Sequence, residues 1–250
     1  MNIQFSCNGC GRCCTDHHVP LTMQEAIDWC RDGGQIIVLV EAVTADSPEL
    51  PPQQREHALR RSLAVPCGLM MVHVSITFAA FNAGRCRNLD QNNRCRMYAR
   101  RPLVCQIYPM EINPHIPLRP HAKDCSPETW QEGPVLLQDG RLIDVELAGL
   151  IERSRQADRD EIGVKEAICQ HLGIRTAAVK GEGFAAYLPQ PSHMLKVMTE
   201  IWTSDAARTF AAQEWELHVP PPGPGVALSA SGAKVSTILR EGCVYLPLAR

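Results

Sequence analysis

The sequence predicts an α+β protein with a loop-rich first half of short strands and helices and a mainly helical second half. Three observations lead there. Four cysteines open the chain within eight residues, Cys7, Cys10, Cys13 and Cys14, reading C-x2-C-x2-C-C. Up to about residue 130, short apolar runs alternate with turn residues. Beyond it, apolar residues recur at helical spacing. Four thiols beside Gly9 and Gly11 are poorly explained by an apolar core, and well explained by a metal that organises this half. Glycine lets the backbone bend tightly enough for nearby sulfurs to converge. Thiolate is a soft ligand that favours zinc or iron–sulfur clusters.

The elements follow in order. Thr22-Met23-Gln24-Glu25 is a capping box, so a helix runs to about Arg31 and stops at Gly33-Gly34. Ile36 to Val43 is a β-rich run, expected as a buried strand. Residues 47–54 hold three prolines and read as a loop, and residues 55–63 as a short helix. From 69 to 81, Val72, Val74, Ile76 and Phe78 alternate with His73, Ser75 and Thr77, which predicts a strand buried on one face. Gly140 turns a hairpin between 135–137 and 142–143. Helical faces then follow at Ile143, Leu147, Leu150 and Ile151, at Val164, Ala167, Ile168 and Leu172, and at Leu195, Met198, Ile201 and Trp202. Residues 220–225 form a Pro/Gly linker, and two short strands around Ser231-Gly232 form a terminal hairpin. The expected division is a cysteine-cluster metal-binding domain at 1–130 and a helical accessory region at 131–250.

Composition narrows the function. The chain has 250 residues, 45% of them hydrophobic, enough for one large domain or two smaller ones. A net charge of −2 and 5% aromatics argue against nucleic acid as a partner. No apolar run approaches the roughly 20 residues that span a bilayer, so no membrane partner is expected. The start lacks a basic stretch followed by an apolar one, so no export signal is expected. Twelve cysteines in a protein held in the reducing cytoplasm read as metal-binding or catalytic rather than as a disulfide framework.

Four further thiols join the set: Cys86, Cys95, Cys105 and Cys125. The run Asp90-Gln91-Asn92-Asn93 is a turn that brings Cys86 and Cys95 close. Pro102 suits the first turn of a short helix that positions Cys105. Eight thiols fit two closed zinc sites, one or two 4Fe–4S clusters, or one cluster with a zinc or spare cysteines. The C-x2-C-x2-C spacing tilts toward iron–sulfur. Cys30, Cys67, Cys169 and Cys243 are isolated and read as small buried hydrophobes.

The order C-x2-C-x2-C-C, then C…C-x2-Y-x2-RP-x2-C-x2-YP, then a further cysteine, resembles the CxxCxxCC family of YkgJ-type zinc- or iron-chelating domains. The matching positions are the eight cysteines with Tyr98, Arg101, Pro102, Tyr108 and Pro109, over about residues 5–126. That family includes flagellin lysine N-methylases, so the resemblance implies a metal centre and admits methyl transfer to a protein substrate.

Arg85, Arg87, Arg94, Arg96, Arg100 and Arg101 crowd the second cysteine segment and read as charge balance for a thiolate centre. Arg101, in the Arg-Pro pair, is the one expected to touch the cofactor. His17, His18 and His121 are either replacement ligands or surface side chains. No G-x-S-x-G elbow, P-loop, HExxH or G-x-G-x-x-G is present. Two functions follow: a metal-binding protein with redox or methyl-transfer chemistry, or a non-catalytic structural zinc module presenting a surface to a protein partner. Whether the chain is an enzyme stays open on these residues.

Overall fold

The computed structural model describes residues 2–44, 50–204, 213–220 and 225–248. In chain order the strands are β1 (Asn2–Gln4), β2 (Val19–Pro20), β3 (Ile36–Val43), β4 (Leu63–Cys67), β5 (Met70–Ala80), β6 (Val135–Gln138), β7 (Arg141–Leu142), β8 (Thr176–Val179), β9 (Gly183–Tyr187), β10 (Glu216–His218), β11 (Val235–Ser236) and β12 (Cys243–Pro247). The α-helices are α1 (Met23–Arg31), α2 (Pro52–Leu59), α3 (Leu103–Ile107), α4 (Val145–His171), α5 (Pro191–Trp202) and α6 (Gly225–Ala230). Two compact units contain them: Met1–Val19 with Phe81–Gln156, and Pro20–Ala80 with Ala157–Arg250. The chain passes from one to the other at 19/20, 80/81 and 156/157, so neither unit is a contiguous half of the sequence. These units are drawn differently from the expected division at residue 130.

In the second unit, β3 is the hub. It pairs antiparallel with β5 from Ile36↔Ala80 to Val43↔His73, parallel with β8, and antiparallel with β9. Apart from Glu41, its side chains are apolar, and most are buried on both faces. Alternation in β5 works as expected: Val72, Val74, Ile76 and Phe78 are buried while His73, Ser75 and Thr77 stay half-exposed. The capping box forms as read. The Glu25 amide donates to Thr22 Oγ1, and the Thr22 amide donates to a Glu25 carboxylate oxygen at 2.9 Å. The apolar face of α1 packs against α5. Helix α2 starts earlier than expected, because Pro52 is pre-organised for a first helical turn.

The second half of the chain is not mainly helical. Strands β6 to β12 all lie in it. Two of them, β8 and β9, are short runs rich in alanine with nearly every residue buried, so no period-two signal marks them. The helical faces at 143–151 and 164–172 belong to one helix, α4. Among the described residues, β11 and β12 are not paired with each other as a terminal hairpin. β11 pairs in parallel with β10, and β12 pairs antiparallel with β9. Gly232, at φ 90°, instead follows the end of α6. Residues 45–49 and 221–224, within or beside the expected proline loop and the Pro/Gly linker, lie outside the described residues. Among the described residues, no helix is long and apolar enough to cross a membrane.

Cys30, Cys67, Cys169 and Cys243 are buried and unbridged, as expected of small hydrophobes. Burial pushes the Cys30 thiol up from 9.0 to about 11. The unfolded chain therefore releases this proton first as pH rises. The contribution of Cys30 to stability is complete below about pH 9 and lost toward pH 11, at most about 1.4 kcal/mol per pH unit. The urea midpoint is expected to fall between pH 8.5 and 10.5 (roughly that window), and less steeply in Cys30→Ala. Parallel slopes for the two proteins would contradict the assignment.

Candidate metal centre

The first unit is built from loops. β1 pairs with β6, from Asn2↔Gln138 to Gln4↔Val135, and anchors the start of the chain. The Phe5 ring lies edge-on to Tyr108 and tilted against Trp130, at 6.4 and 4.9 Å between centroids. Under it lies a small apolar cluster of Ile107, Leu136, Leu147 and Ile151. The Ser6 amide donates to the Thr129 carbonyl at 2.9 Å, and Asn8 Nδ2 donates to Ser126 Oγ at 3.1 Å. These bonds lay Cys7 and Cys10 along the segment that carries Cys125.

Gly9 and Gly11 both sit at φ 71°, the left-handed conformation that lets the thiol loop fold back. A Cβ on Gly11 would stand 3.0 Å from Asn93 Cβ, so the loop also lies tight on the 90–95 turn. Arg12–Cys14 form a single 3-10 turn. Beyond it, the Cys86 amide donates to the Cys14 carbonyl at 2.7 Å, and the Asp16 amide to the Gly84 carbonyl at 2.8 Å.

The turn between Cys86 and Cys95 forms as predicted. The Asp90 amide donates to the Arg94 carbonyl, the Arg96 amide to the Asn88 carbonyl, both at 2.8 Å, and Leu89 bridges to Cys95. Asp90 Oδ1 accepts from the Asn92 and Arg94 amides, and these bonds hold its carboxyl below the usual range. Pro102 precedes α3, whose Ile107 is buried and whose Cys105 faces the other thiols.

Cys13 and Cys14 are in sulfur–sulfur contact at 3.8 Å. Cys14 is the acidic member, lowered to about 7 by the thiol hydrogen bond from Cys13 and by the charges of Arg101 and His17. Cys13 is raised by that same hydrogen bond, by burial, and by the charges of Cys14, Cys125 and Cys7. Burial, then the charges of Cys14, Cys86 and Cys95, push Cys105 up to about 12. Cys86 is raised by burial and by Cys14 and Cys95, and Cys125 by burial and by Cys10 and Cys7. Each of the eight thiols thus lies within electrostatic reach of others in the set. Among the described residues, no group of three or more His, Cys, Asp or Glu side chains meets the geometry for holding an ion. The eight therefore stand as neighbouring thiols and not as a closed coordination polyhedron. Their chemistry fits zinc or an iron–sulfur cluster, since soft sulfur donors dominate and the surrounding cations offset thiolate charge.

Arg101 stands near two of the thiols. Its charge acts on Cys14 and Cys105, and its guanidinium carbon lies 3.8 Å from the centre of the Tyr98 ring. Arg87 acts on Cys86 in the same way. Arg85 and Arg96 do something different. They donate to the Asp90 and Leu89 carbonyls and staple the turn. His17 Nε2 pairs with Asp124 Oδ2 at 2.8 Å, while His18 stacks on Phe81. His121 is exposed on a 3-10 turn.

Two features went unread in the sequence. The Tyr108 hydroxyl donates to Cys125 Sγ at 3.2 Å, and burial followed by that bond raises the phenol. Tyr108 belongs to the Tyr-Pro pair, whose spacing alone assigns it no role. An open pocket of about 670 Å³ is lined by Arg12, Thr15, Asp16, His17, Lys123, Asp124 and Cys125. Its residues come from two distant stretches, so only the fold assembles them.

A loop-built unit with eight neighbouring thiols, compensating guanidinium groups and a small apolar core defines a thiol-rich metal-chelating protein. Residues 6–129, about half of the chain, match the CxxCxxCC family, described as "Putative zinc- or iron-chelating domain". Through that segment the chain belongs to the CxxCxxCC family and binds metal. Comparisons with curated proteins and with solved structures return no match.

Proposed function

We propose that the first unit is a thiolate metal centre. In it Cys7, Cys10, Cys13, Cys14, Cys86, Cys95, Cys105 and Cys125 hold zinc or an iron–sulfur cluster of the 4Fe–4S type. What supports this reading is that hydrogen bonds from Ser6 to Thr129, from Asn8 to Ser126 and from Cys86 to Cys14 bring cysteine-bearing loops side by side, with Cys13 and Cys14 in contact and the Arg101 charge near them. Zinc would supply cross-linking and Lewis acidity, and a cluster one-electron transfer. The chain's own residues prepare the site. Arg101 favours the thiolate form of Cys14 and Cys105, and Tyr108 donates to Cys125. A centre of this kind needs its thiols reduced, which the cytoplasm provides.

The pocket beside Cys125 favours a reactive centre over a purely structural one. Redox chemistry, or methyl transfer to a lysine of a protein substrate as the resemblance implies, would act there. A structural zinc module with a partner-binding surface is the alternative. Iron, zinc and acid-labile sulfide counted per chain in anaerobically purified protein test the reading. Stoichiometric iron with sulfide, or stoichiometric zinc in colourless protein, is the expected result. Protein purified with neither, and unable to take up either, would overturn it.

A further inference from the structure

We propose that the eight thiols form two separate four-thiol centres. One consists of Cys7, Cys10, Cys13 and Cys125, the other of Cys14, Cys86, Cys95 and Cys105. They meet at the Cys13–Cys14 step, and the first opens into the pocket lined by Cys125. This rests on the reading of the eight thiols as ligands and adds their partition.

The backbone makes the division. Bonds from Ser6 to Thr129 and from Asn8 to Ser126 lay the Cys7–Cys10 stretch against the Cys125 segment. A second set, Asp16 to Gly84 and Cys86 to Cys14, lays Cys14 against the segment that begins the other group. The turn closed by Leu89 and Cys95 then returns Cys95 to the same side as Cys86. Between the two sets lies the 3-10 turn Arg12–Cys14. A 3-10 helix has about three residues per turn, so consecutive side chains diverge by about 120°. Cys13 and Cys14 can therefore serve opposite sides while their sulfurs touch at 3.8 Å.

The electrostatic neighbourhoods divide the same way. Cys13 feels Cys125 and Cys7, and Cys125 feels Cys10 and Cys7. Cys105 feels Cys14, Cys86 and Cys95, and Cys86 feels Cys14 and Cys95. The Cys13–Cys14 contact joins these two sets. The number also fits, since a structural zinc and a 4Fe–4S cluster each take four thiolates. The surroundings differ as well. Arg101 lies by the Cys14 group, whereas Tyr108 and the polar pocket lie by Cys125.

The test is an anaerobic titration of reduced, metal-free protein with Co2+, read by thiolate-to-metal charge-transfer absorbance. Wild type is expected to reach its endpoint at two equivalents per chain. Cys7→Ser/Cys10→Ser and Cys95→Ser/Cys105→Ser should each halve the endpoint, and the combination should abolish it. A pulse of iodoacetamide at one equivalent, mapped by mass spectrometry in wild type, needs no variant to fold. Protection should appear in the blocks named above. An endpoint at one equivalent, or a protected block mixing Cys7 with Cys105, would overturn the partition while keeping the thiols as ligands. No charge-transfer band at any cobalt level would instead sink the ligand reading itself.

Discussion

Stripping the metal from reduced protein is expected to unfold the first unit and leave the second standing. The reason lies in how little apolar material the first unit buries. Among its described residues, the buried hydrophobic ones are Leu89, Ile107, Leu136, Leu137, Leu147 and Ile151. The 84–98 stretch is held by turn hydrogen bonds, two isolated bridges and arginine staples instead of by a sheet. A unit this sparse needs a cross-link, and a structural metal contributes on the order of 10 kcal/mol or more. Hydrogen exchange read by mass spectrometry, before and after a strong chelator under reductant, would measure it. Amides of residues 6–16 and 84–98 should lose protection, while those of β3 and β5 keep theirs. Retained protection in the thiol loops of verifiably metal-free protein would show that the unit stands without metal.

Phe78→Ala is expected to cost about 3–5 kcal/mol, which would bring a domain of ordinary stability close to unfolding. Phe78 is completely buried in β5, opposite Val38 of the hub strand. Its neighbours Val38, Val40 and Ile36 are buried too, so little can collapse into the space left. Phe78→Leu should lose much less, because it keeps most of the volume. Urea denaturation followed by circular dichroism would decide. A midpoint for the alanine variant close to that of wild type would place Phe78 outside the core of the second unit.

Legibility in the sequence followed the strength of local signals. Thr22 and Glu25 mark the start of α1 because both halves of a capping box lie within four residues. The strands β3 and β5 are legible since one is a continuous apolar run and the other alternates cleanly. The neighbourhood of Cys86 and Cys95 follows from a turn sequence, and the placement of Cys105 from a proline before a helix. What failed was non-local. β8 and β9 carry alanines whose burial on both faces erases periodicity. α4 carries the signal of two helices because its apolar stripe is interrupted between Ile151 and Val164 by mostly charged and polar residues. The interleaving of the units is invisible locally, because no linker composition marks the passages at 19/20, 80/81 and 156/157. Tyr108 shows the same limit at the site. Its hydroxyl gains a role only when folding brings Cys125 beside it.

Those passages bear on the order of events at the ribosome. Residues 20–80 emerge between the leading cysteines and the chain they eventually face, and they belong to the other unit. Synthesis at about 5–20 residues per second leaves the first four sulfurs without their counterparts for several seconds. Maturation of the centre is a late event in the life of a nascent chain, and reductant and metal supply must cover that wait.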